Sequence, residues 1–300
     1  MSSEKSMKTE SGLSLYHPWV SFIYFAAVIA GTLLFIHPVF VAVSLCCAIF
    51  SAALINGKKS VLTVLGFGVP MFVFIALANP LFNHRGATIL FYLFDNPITF
   101  EAIVYGIVSA GMMFAAVVWF TCYNTVVTSD KFIYIFGRIL PSIALIVSMT
   151  LSLIPRLIEQ IKIIADSQRS IGLDWKSGNV KQRIRSGARV LSILVSWALE
   201  DAVITADSMR ARGYGQQKRS TFSIFRFGKK DAKMLALILI LFAAEIFAYI
   251  SGRGTMEFYP AMVFPEIDLT DILIYVLYIT LGILPAVIQI KEDLKWKQLK

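Results

Sequence analysis

The sequence predicts an all-α fold, a polytopic membrane helix bundle of about six spans with an added cytoplasmic helical module. Two observations indicate this class. Of the 300 residues, 57% are hydrophobic and only 16% are charged, whereas soluble domains are about 45–50% apolar. The hydrophobic residues are also gathered into runs long enough for a spanning helix, which needs about 20 residues.

Six apolar runs predict membrane-spanning helices. Trp19, Tyr249 and Tyr275 lie near the ends of runs, where aromatic side chains favour the membrane–water interface. The runs are 19–36, 38–55, 61–81, 100–121, 233–251 and 270–290.

A seventh apolar stretch, 132–154, contains Arg138 and Pro141. The loop charges argue against a full crossing here. Segment 122–232 carries 17 Lys or Arg against 8 Asp or Glu, whereas loop 252–269 carries one Arg against three acidic residues. Basic loops favour the cytoplasmic side, and six crossings satisfy this rule with both termini inside. We therefore expect 132–154 to form a helix that lies at the inner membrane face or is packed under the bundle.

This topology divides the chain into three regions. We expect N-terminal transmembrane helices in 1–121, a cytoplasmic or interfacial module in 122–232, and C-terminal transmembrane helices in 233–300. The loop Asn56–Lys59 is expected on the inner side.

Two helices are predicted inside the module. Pro155 is a plausible helix start, so the first helix is expected over 156–171. A loop follows at 174–179, and a second helix is expected over 180–212. Gly172 and Gly213 end the two helices.

A repeated eight-residue cassette closes both module helices. Residues 165–172 read ADSQRSIG, and residues 206–213, 41 positions further on, read ADSMRARG. Five of the eight positions are identical. The repeat suggests that the two helix ends share one role.

The charged residues of the cassettes allow two interpretations. Asp166 with Arg169, and Asp207 with Arg210, are three residues apart, so each pair can form a local ion pair worth about 0.2–0.5 kcal/mol. Arg212, however, has no acidic residue three or four positions away within its cassette. A free arginine at a helix end can bind a carboxylate of another protein, and the neighbouring glycine allows a close approach.

The sequence contains no recognisable catalytic or cofactor site. Gly57-Lys58 and Gly228-Lys229 lack the upstream glycine of a phosphate-binding loop. No nucleophile has a placed base, and the histidines are too scattered to suggest a metal site. They are His17, His37 and His84. We therefore expect a non-catalytic chain without a metal or cofactor, and we assign its net charge of +9 to cytoplasmic loops rather than to nucleic-acid binding.

The module ends in Met209-Arg-Ala-Arg-Gly-Tyr-Gly215 and lies between apolar spans. In this the chain resembles the transmembrane (T) component of energy-coupling factor transporters, ABC-type importers of vitamins and transition metals. The transmembrane subunit of cobalt and nickel importers belongs to the same family. The most specific mark is an Ala-Arg-Gly tripeptide at the end of each coupling helix. Ala211-Arg212-Gly213 matches it, whereas Ser170-Ile171-Gly172 keeps only the glycine.

The resemblance implies a transducer in a bacterial or archaeal cell membrane. Two cytoplasmic ABC ATPase subunits would bind the coupling helices, and a small substrate-capturing (S) component would move in the bilayer against them. The stretch 132–154 and the coupling helices would offer this component an apolar platform. The implied ATPase contacts are Arg212, Gly213, Ala211 and Arg210 in the second cassette and Arg169, Ser170, Ile171 and Gly172 in the first, with Asp207 and Asp166 as orienting partners.

Three other functions remain open on the sequence. Glu245 lies in the middle of a span, where an acid often marks an ion or proton pathway, so the chain could be a self-sufficient ion-coupled transporter. A membrane enzyme acting on lipid phosphate would need a base or metal set that is not visible. A membrane scaffold would use the cassettes only as helix ends.

Overall fold

The computed structural model describes residues 12–93, 96–137, 139–173, 179–215, 225–260, 262 and 268–298. These residues form nine α-helices, a short 3-10 helix at Gly12–Leu15 and one two-stranded sheet. The helices are α1 (Pro18–Leu34), α2 (Pro38–Ile55), α3 (Gly57–Phe82), α4 (Phe100–Val126), α5 (Ser129–Gly137), α6 (Pro141–Ser170), α7 (Val180–Ala211), α8 (Lys229–Ile250) and α9 (Leu269–Gln298).

The all-α prediction is confirmed, with one small exception. Strands β1 (Ile89–Leu93) and β2 (Asn96–Thr99) pair antiparallel between α3 and α4. The buried side chain of Glu101 supports this hairpin, because its carboxylate accepts hydrogen bonds from the N–H of Thr88 at 3.1 Å and from its hydroxyl at 2.7 Å.

Among the described residues, six helices are long and apolar enough to cross a membrane. Five of them cover predicted runs, whereas the sixth, α6, takes the place of the run 19–36. The six helices are α2, most of α3 (Ser60–Phe82), α4, α6, α8 and Leu269–Lys295 of α9. Helix α1 is apolar but has 17 residues. Length and composition thus include α6, whereas loop charge argued against a crossing there. The location of this stretch at the inner membrane face stays a prediction.

Two local predictions are wrong. The stretch 132–154 is not one helix, because α5 ends at Gly137 and α6 begins at Pro141. No helix starts at Pro155, which lies inside the continuous helix α6. An interior proline removes one hydrogen bond and bends a helix without always ending it. Here the helical pattern continues on both sides of the proline.

Some predicted loops differ or fall outside the described residues. Helix α3 begins at Gly57, so the expected loop Asn56–Lys59 is reduced to a turn at Asn56. The expected loop 174–179 lies outside the described residues, except for Asn179.

The chain forms two compact units. One comprises residues 1–132 together with 225–300, and the other comprises residues 133–224. The first unit is organised around α4, which contacts α1, α2 and α3, while α9 contacts α2 and α8. The expected division at 122 and 232, with its assignment to the two sides of the membrane, stays a prediction.

An aromatic cluster forms the core of the first unit. Trp119 of α4 is fully buried, and the rings of Tyr24 and Phe25 of α1 lie edge-on to it at 6.5 and 6.4 Å. Such edge-to-face pairs add about 0.5–1.5 kcal/mol beyond the area that they bury. This cluster therefore fixes α1 against α4.

Two histidine–proline pairs begin α1 and α2. The Nδ1 atom of His17 accepts the N–H of Trp19 at 3.4 Å, and that of His37 accepts the N–H of Val39 at 3.3 Å. The following proline suits the first helical position because it has no N–H to leave unpaired. These two histidines therefore act as helix caps.

Candidate functional site

The candidate site is the pair of long helices α6 and α7 in the second unit. The two helices contact each other, and each buries a single described residue, Ile164 in α6 and Leu194 in α7. The start of α7 is stabilised by Gln182, whose Oε1 accepts the N–H of Asn179 at 3.1 Å. Most of the surface of both helices is therefore left open to solvent, lipid or partners.

Helix α6 ends in a glycine-closed turn. Gly172 has a φ of +79°, and its N–H donates to the carbonyl of Arg169 at 3.0 Å. The next N–H, of Leu173, donates to the carbonyl of Gln168 at 2.9 Å. This pair of bonds is the Schellman motif, which satisfies carbonyls that the helix end would leave unpaired.

Helix α7 ends in the same way. Gly213 has a φ of +78°, its N–H donates to Arg210 at 2.9 Å, and the N–H of Tyr214 donates to Met209 at 3.0 Å. The repeated cassette therefore encodes one backbone structure twice. The arginine and the glycine are three residues apart in both cassettes, so Arg169 and Arg210 lie at equivalent positions in the last helical turn.

The two closures present different side chains at the position before the glycine. This capping position holds Ile171 in α6 and Arg212 in α7. Both are exposed, Ile171 by 67%. Because the backbone is the same, the same place carries an apolar surface on one helix end and a positive charge on the other.

The other predicted site residues lie on the same helix ends. Gly213 is half-buried, and the remainder are exposed, namely Asp166, Arg169, Ser170, Gly172, Asp207, Arg210 and Ala211. The hydroxyl of Ser170 donates to the carbonyl of Asp166 at 3.0 Å.

No ion pair within 4 Å joins Asp207 to Arg210, or Asp166 to Arg169, although both pairs lie wholly in the part of the chain that the structure describes. The orienting role of the two aspartates stays a prediction.

Sequence reasoning missed the residue after each glycine. Leu173 and Tyr214 donate the second hydrogen bond of each closure, and both are exposed. The available signal was the large apolar or aromatic residue that follows glycine in both cassettes, a pattern that often accompanies this helix end.

An exposed apolar stripe runs along α6. Its members recur at intervals of three or four residues, as one face of a helix requires, and they are between 37% and 54% exposed. They are Ile143, Val147, Leu151, Ile154, Ile158 and Ile161.

Helix α7 carries a second stripe of the same kind. Its members are between 50% and 68% exposed and are Val180, Ile184, Leu191, Val195, Leu199 and Val203. The first turns of α7 add exposed basic side chains, which are Lys181, Arg183, Arg185 and Arg189. Apolar surface of this extent on a protein normally faces lipid or another protein.

These features define the class of the protein. It is a multi-pass helical membrane protein with two long helices, each of which ends in a glycine-closed turn and exposes an apolar face. Residues 14–223, more than two thirds of the chain and including both cassettes, match the model of the cobalt transport protein family CbiQ. The chain belongs to this family, and the resemblance drawn from the sequence is confirmed.

Curated relatives agree with this assignment. The chain is 34% identical over 107 residues to an energy-coupling factor transporter transmembrane protein of Bacillus selenitireducens, covering 35% of this chain and 40% of that protein. It is 32% identical over 100 residues to one from Lactobacillus helveticus, covering 33% and 36%. An uncharacterized Mycoplasma pneumoniae protein is 30% identical over 115 residues, covering 38% and 26%. The matches thus span about a quarter to two fifths of these relatives.

Proposed function

We propose that the chain is the energy-coupling transmembrane subunit of an importer of the energy-coupling factor type. In this function, two cytoplasmic ATPase subunits bind the ends of α6 and α7, and the helices carry their motion to the membrane. The observation that supports this most directly is the pair of equivalent glycine-closed helix ends, which expose Ile171 and Arg212 at the same position.

Charge favours an acidic receptor for the end of α7. Arg212 is exposed and has no ion pair with any described residue. Truncating one partner of a desolvated charge pair costs about 2–5 kcal/mol. The corresponding loss of affinity is about 30-fold or more. Such a loss would separate the ATPase from the helix.

The end of α6 requires a different receptor surface. Ile171 offers no charge, so its contact with an ATPase is apolar, and full burial of an isoleucine contributes about 1.5–3 kcal/mol. Arg169, which directly precedes Ser170, is the basic residue nearest to Ile171 in the sequence, and it could supply a charged contact. This difference between the two ends is expected if the two ATPase subunits present unequal grooves.

The exposed stripes of α6 and α7 provide the proposed platform for a small substrate-capturing membrane protein. An apolar surface can bind such a partner and release it again, because the surface meets lipid when the partner leaves. In this proposal substrate specificity belongs to the partner, and the substrate is a vitamin or a transition metal ion.

The test is a pull-down from detergent-solubilised membranes with wild type, Arg212→Glu and Arg189→Glu. Arg189 is exposed on the same helix, so its variant has the same charge change away from the helix end. We expect the wild type and Arg189→Glu to retain ATPase subunits and a small membrane protein, and Arg212→Glu to lose the ATPases. A wild type that is recovered alone, or an Arg212→Glu variant that keeps its ATPases, would contradict the proposal.

The alternative of an ion-coupled transporter rests on one observation, the burial of Glu245 inside the bundle. A transporter of that kind moves its substrate without an ATPase. The purified chain in proteoliposomes, driven by an ion gradient and without ATPase subunits, distinguishes the two functions. Uptake that is lost in Glu245→Gln would favour the alternative, and uptake that requires ATPase subunits and ATP would favour the coupling subunit.

A further inference from the structure

Glu245 of α8 is an acid without a polar partner in the interior of the first unit. Its side chain is only 1% exposed. Neither carboxyl oxygen has a hydrogen-bond partner, and no ion pair within 4 Å joins it to any residue that the structure describes. Buried polar groups are nearly always paired, so this side chain requires an explanation.

The carboxyl group lies against a glycine of the neighbouring helix α1. A Cβ atom at Gly31 would be 2.8 Å from Oε2 of Glu245 and 3.5 Å from the ring of Tyr278 of α9. The glycine therefore provides the space that the acid occupies. Glu245 lies where α8 contacts α1 and α9.

The polar groups next to this position already bind one another. The hydroxyl of Thr32 lies 2.7 Å from that of Ser44 and 3.3 Å from that of Tyr278. The indole N–H of Trp119 donates to Ser44 at 3.1 Å. The cavity between Ser44, Trp119 and Tyr278 has a volume of about 10 Å³, which is at most one water molecule. A hydrated metal ion does not fit there.

No positive charge faces the acid from the helices packed against α8. Helix α1 has no charged residue, and those of α9 lie near its two ends, at Asp271 and from Lys291 onward. The titratable side chains that interact with Glu245 are those of Tyr24 and Tyr278, and the thiols of Cys47 and Cys122 interact in turn with Tyr24. All four groups are neutral at pH 7 unless they are activated.

From this geometry we infer that Glu245 is a proton-binding site, and that its bound proton keeps α8 packed against α1 and α9. A carboxylate without a partner in an apolar interior is far more costly than the neutral acid. Loss of the proton therefore requires the carboxyl to leave its place on Gly31 or water to enter the bundle. The inference rests on the packing of the first unit alone and does not depend on the proposed coupling function.

The first test is the infrared spectrum of the purified chain in lipid at pH 7, compared with that of Glu245→Gln. We expect the wild type to show the carbonyl stretch of a protonated carboxylic acid, and this band to be absent from the variant. The matched control is Glu101→Gln. Glu101 is also buried, at 2% exposed, but it accepts hydrogen bonds from Thr88. This control should keep the band.

The spectrum gives an answer even if Glu245→Gln does not fold. In wild-type chain with isotope-labelled glutamate, a protonated carboxyl band at pH 7 supports the inference. A spectrum with carboxylate bands alone, or a band that Glu245→Gln retains, overturns it.

The second test is the pH dependence of thermal unfolding in the same two proteins. The inference requires the folded chain to hold this carboxyl neutral, so wild-type stability should fall as the pH rises above the ordinary glutamate pKa of about 4.3, by up to about tenfold per pH unit in the folded-to-unfolded ratio. Glu245→Gln should lack this loss, and identical profiles would overturn the inference. Glu245→Gln should still retain the ATPases in the pull-down, so a failure here is distinguishable from a failure of the proposed function.

Discussion

The closure of α6 can be tested with one substitution made at two glycines. Gly172→Ala and Gly187→Ala add the same methyl group, and no heavy atom lies within 4 Å of the new Cβ at either position. The effect therefore comes from the backbone alone. At Gly172 the φ of +79° is left-handed, which costs a residue with a Cβ about 1–2 kcal/mol. At Gly187, inside α7, alanine is favoured over glycine by about 0.8–1.0 kcal/mol.

The assay is amide hydrogen exchange followed by mass spectrometry of peptides from the two helices. We expect Gly172→Ala to speed exchange at the amides of Gly172 and Leu173, which close the helix end, by about fivefold for each kcal/mol lost. Gly187→Ala should slow exchange around its own position. Gly172→Asn should be milder than Gly172→Ala, because asparagine tolerates the left-handed region.

Two outcomes would refute this reasoning. Equal protection of the Gly172 and Leu173 amides in Gly172→Ala and wild type would mean that the left-handed turn does not hold the helix end. Changes of the same sign in Gly172→Ala and Gly187→Ala would mean that the methyl group acts through contacts that the structure does not contain.

Two further predictions concern the first unit. At Gly106 of α4 a Cβ would lie 2.8 Å from the carbonyl oxygen of Ala76, so we expect Gly106→Ala to destabilise the fold by about 1–3 kcal/mol. Gly66→Ala, which meets open space, should be neutral or stabilising. Equal melting temperatures of the two variants would contradict this packing. The side chain of His37 caps α2 by accepting the N–H of Val39, and burial lowers the pKa of this histidine. The folded chain therefore favours the neutral ring. This contribution to stability is complete above the unfolded pKa of about 6.5 and is lost as the pH falls below that value. His37→Asn should therefore weaken the loss of stability on acidification, and an unchanged pH slope would count against it.

Regular helices with strong boundaries were predictable from the sequence. The bounds of α2 match the expected run 38–55, because Pro38 begins the helix and Asn56 follows it. The helix expected over 180–212 appears as Val180–Ala211. The glycine that ends this helix is a local signal, because glycine adopts the left-handed conformation without help from any tertiary contact.

Two features of the fold were not predictable from the sequence, because their local signals are ambiguous or absent. Pro155 is compatible with a helix start and with a bent helix interior, and only the continuous backbone of α6 distinguishes the two. The hairpin of β1 and β2 was not predicted. The buried carboxylate of Glu101 supports it by binding Thr88, and this contact lies outside the two strands.

The sequence by itself determined that this is a membrane helix bundle with a basic segment and two similar helix ends. Composition, charge and the repeated cassette carry that information locally. Only the tertiary structure decided that the two ends share one backbone closure with Ile171 and Arg212 at the same place. It also decided that Glu245 lies on Gly31 without a partner. The physical reason is that hydrogen bonds and burial depend on which helices meet, and a linear pattern of residue types does not specify those contacts.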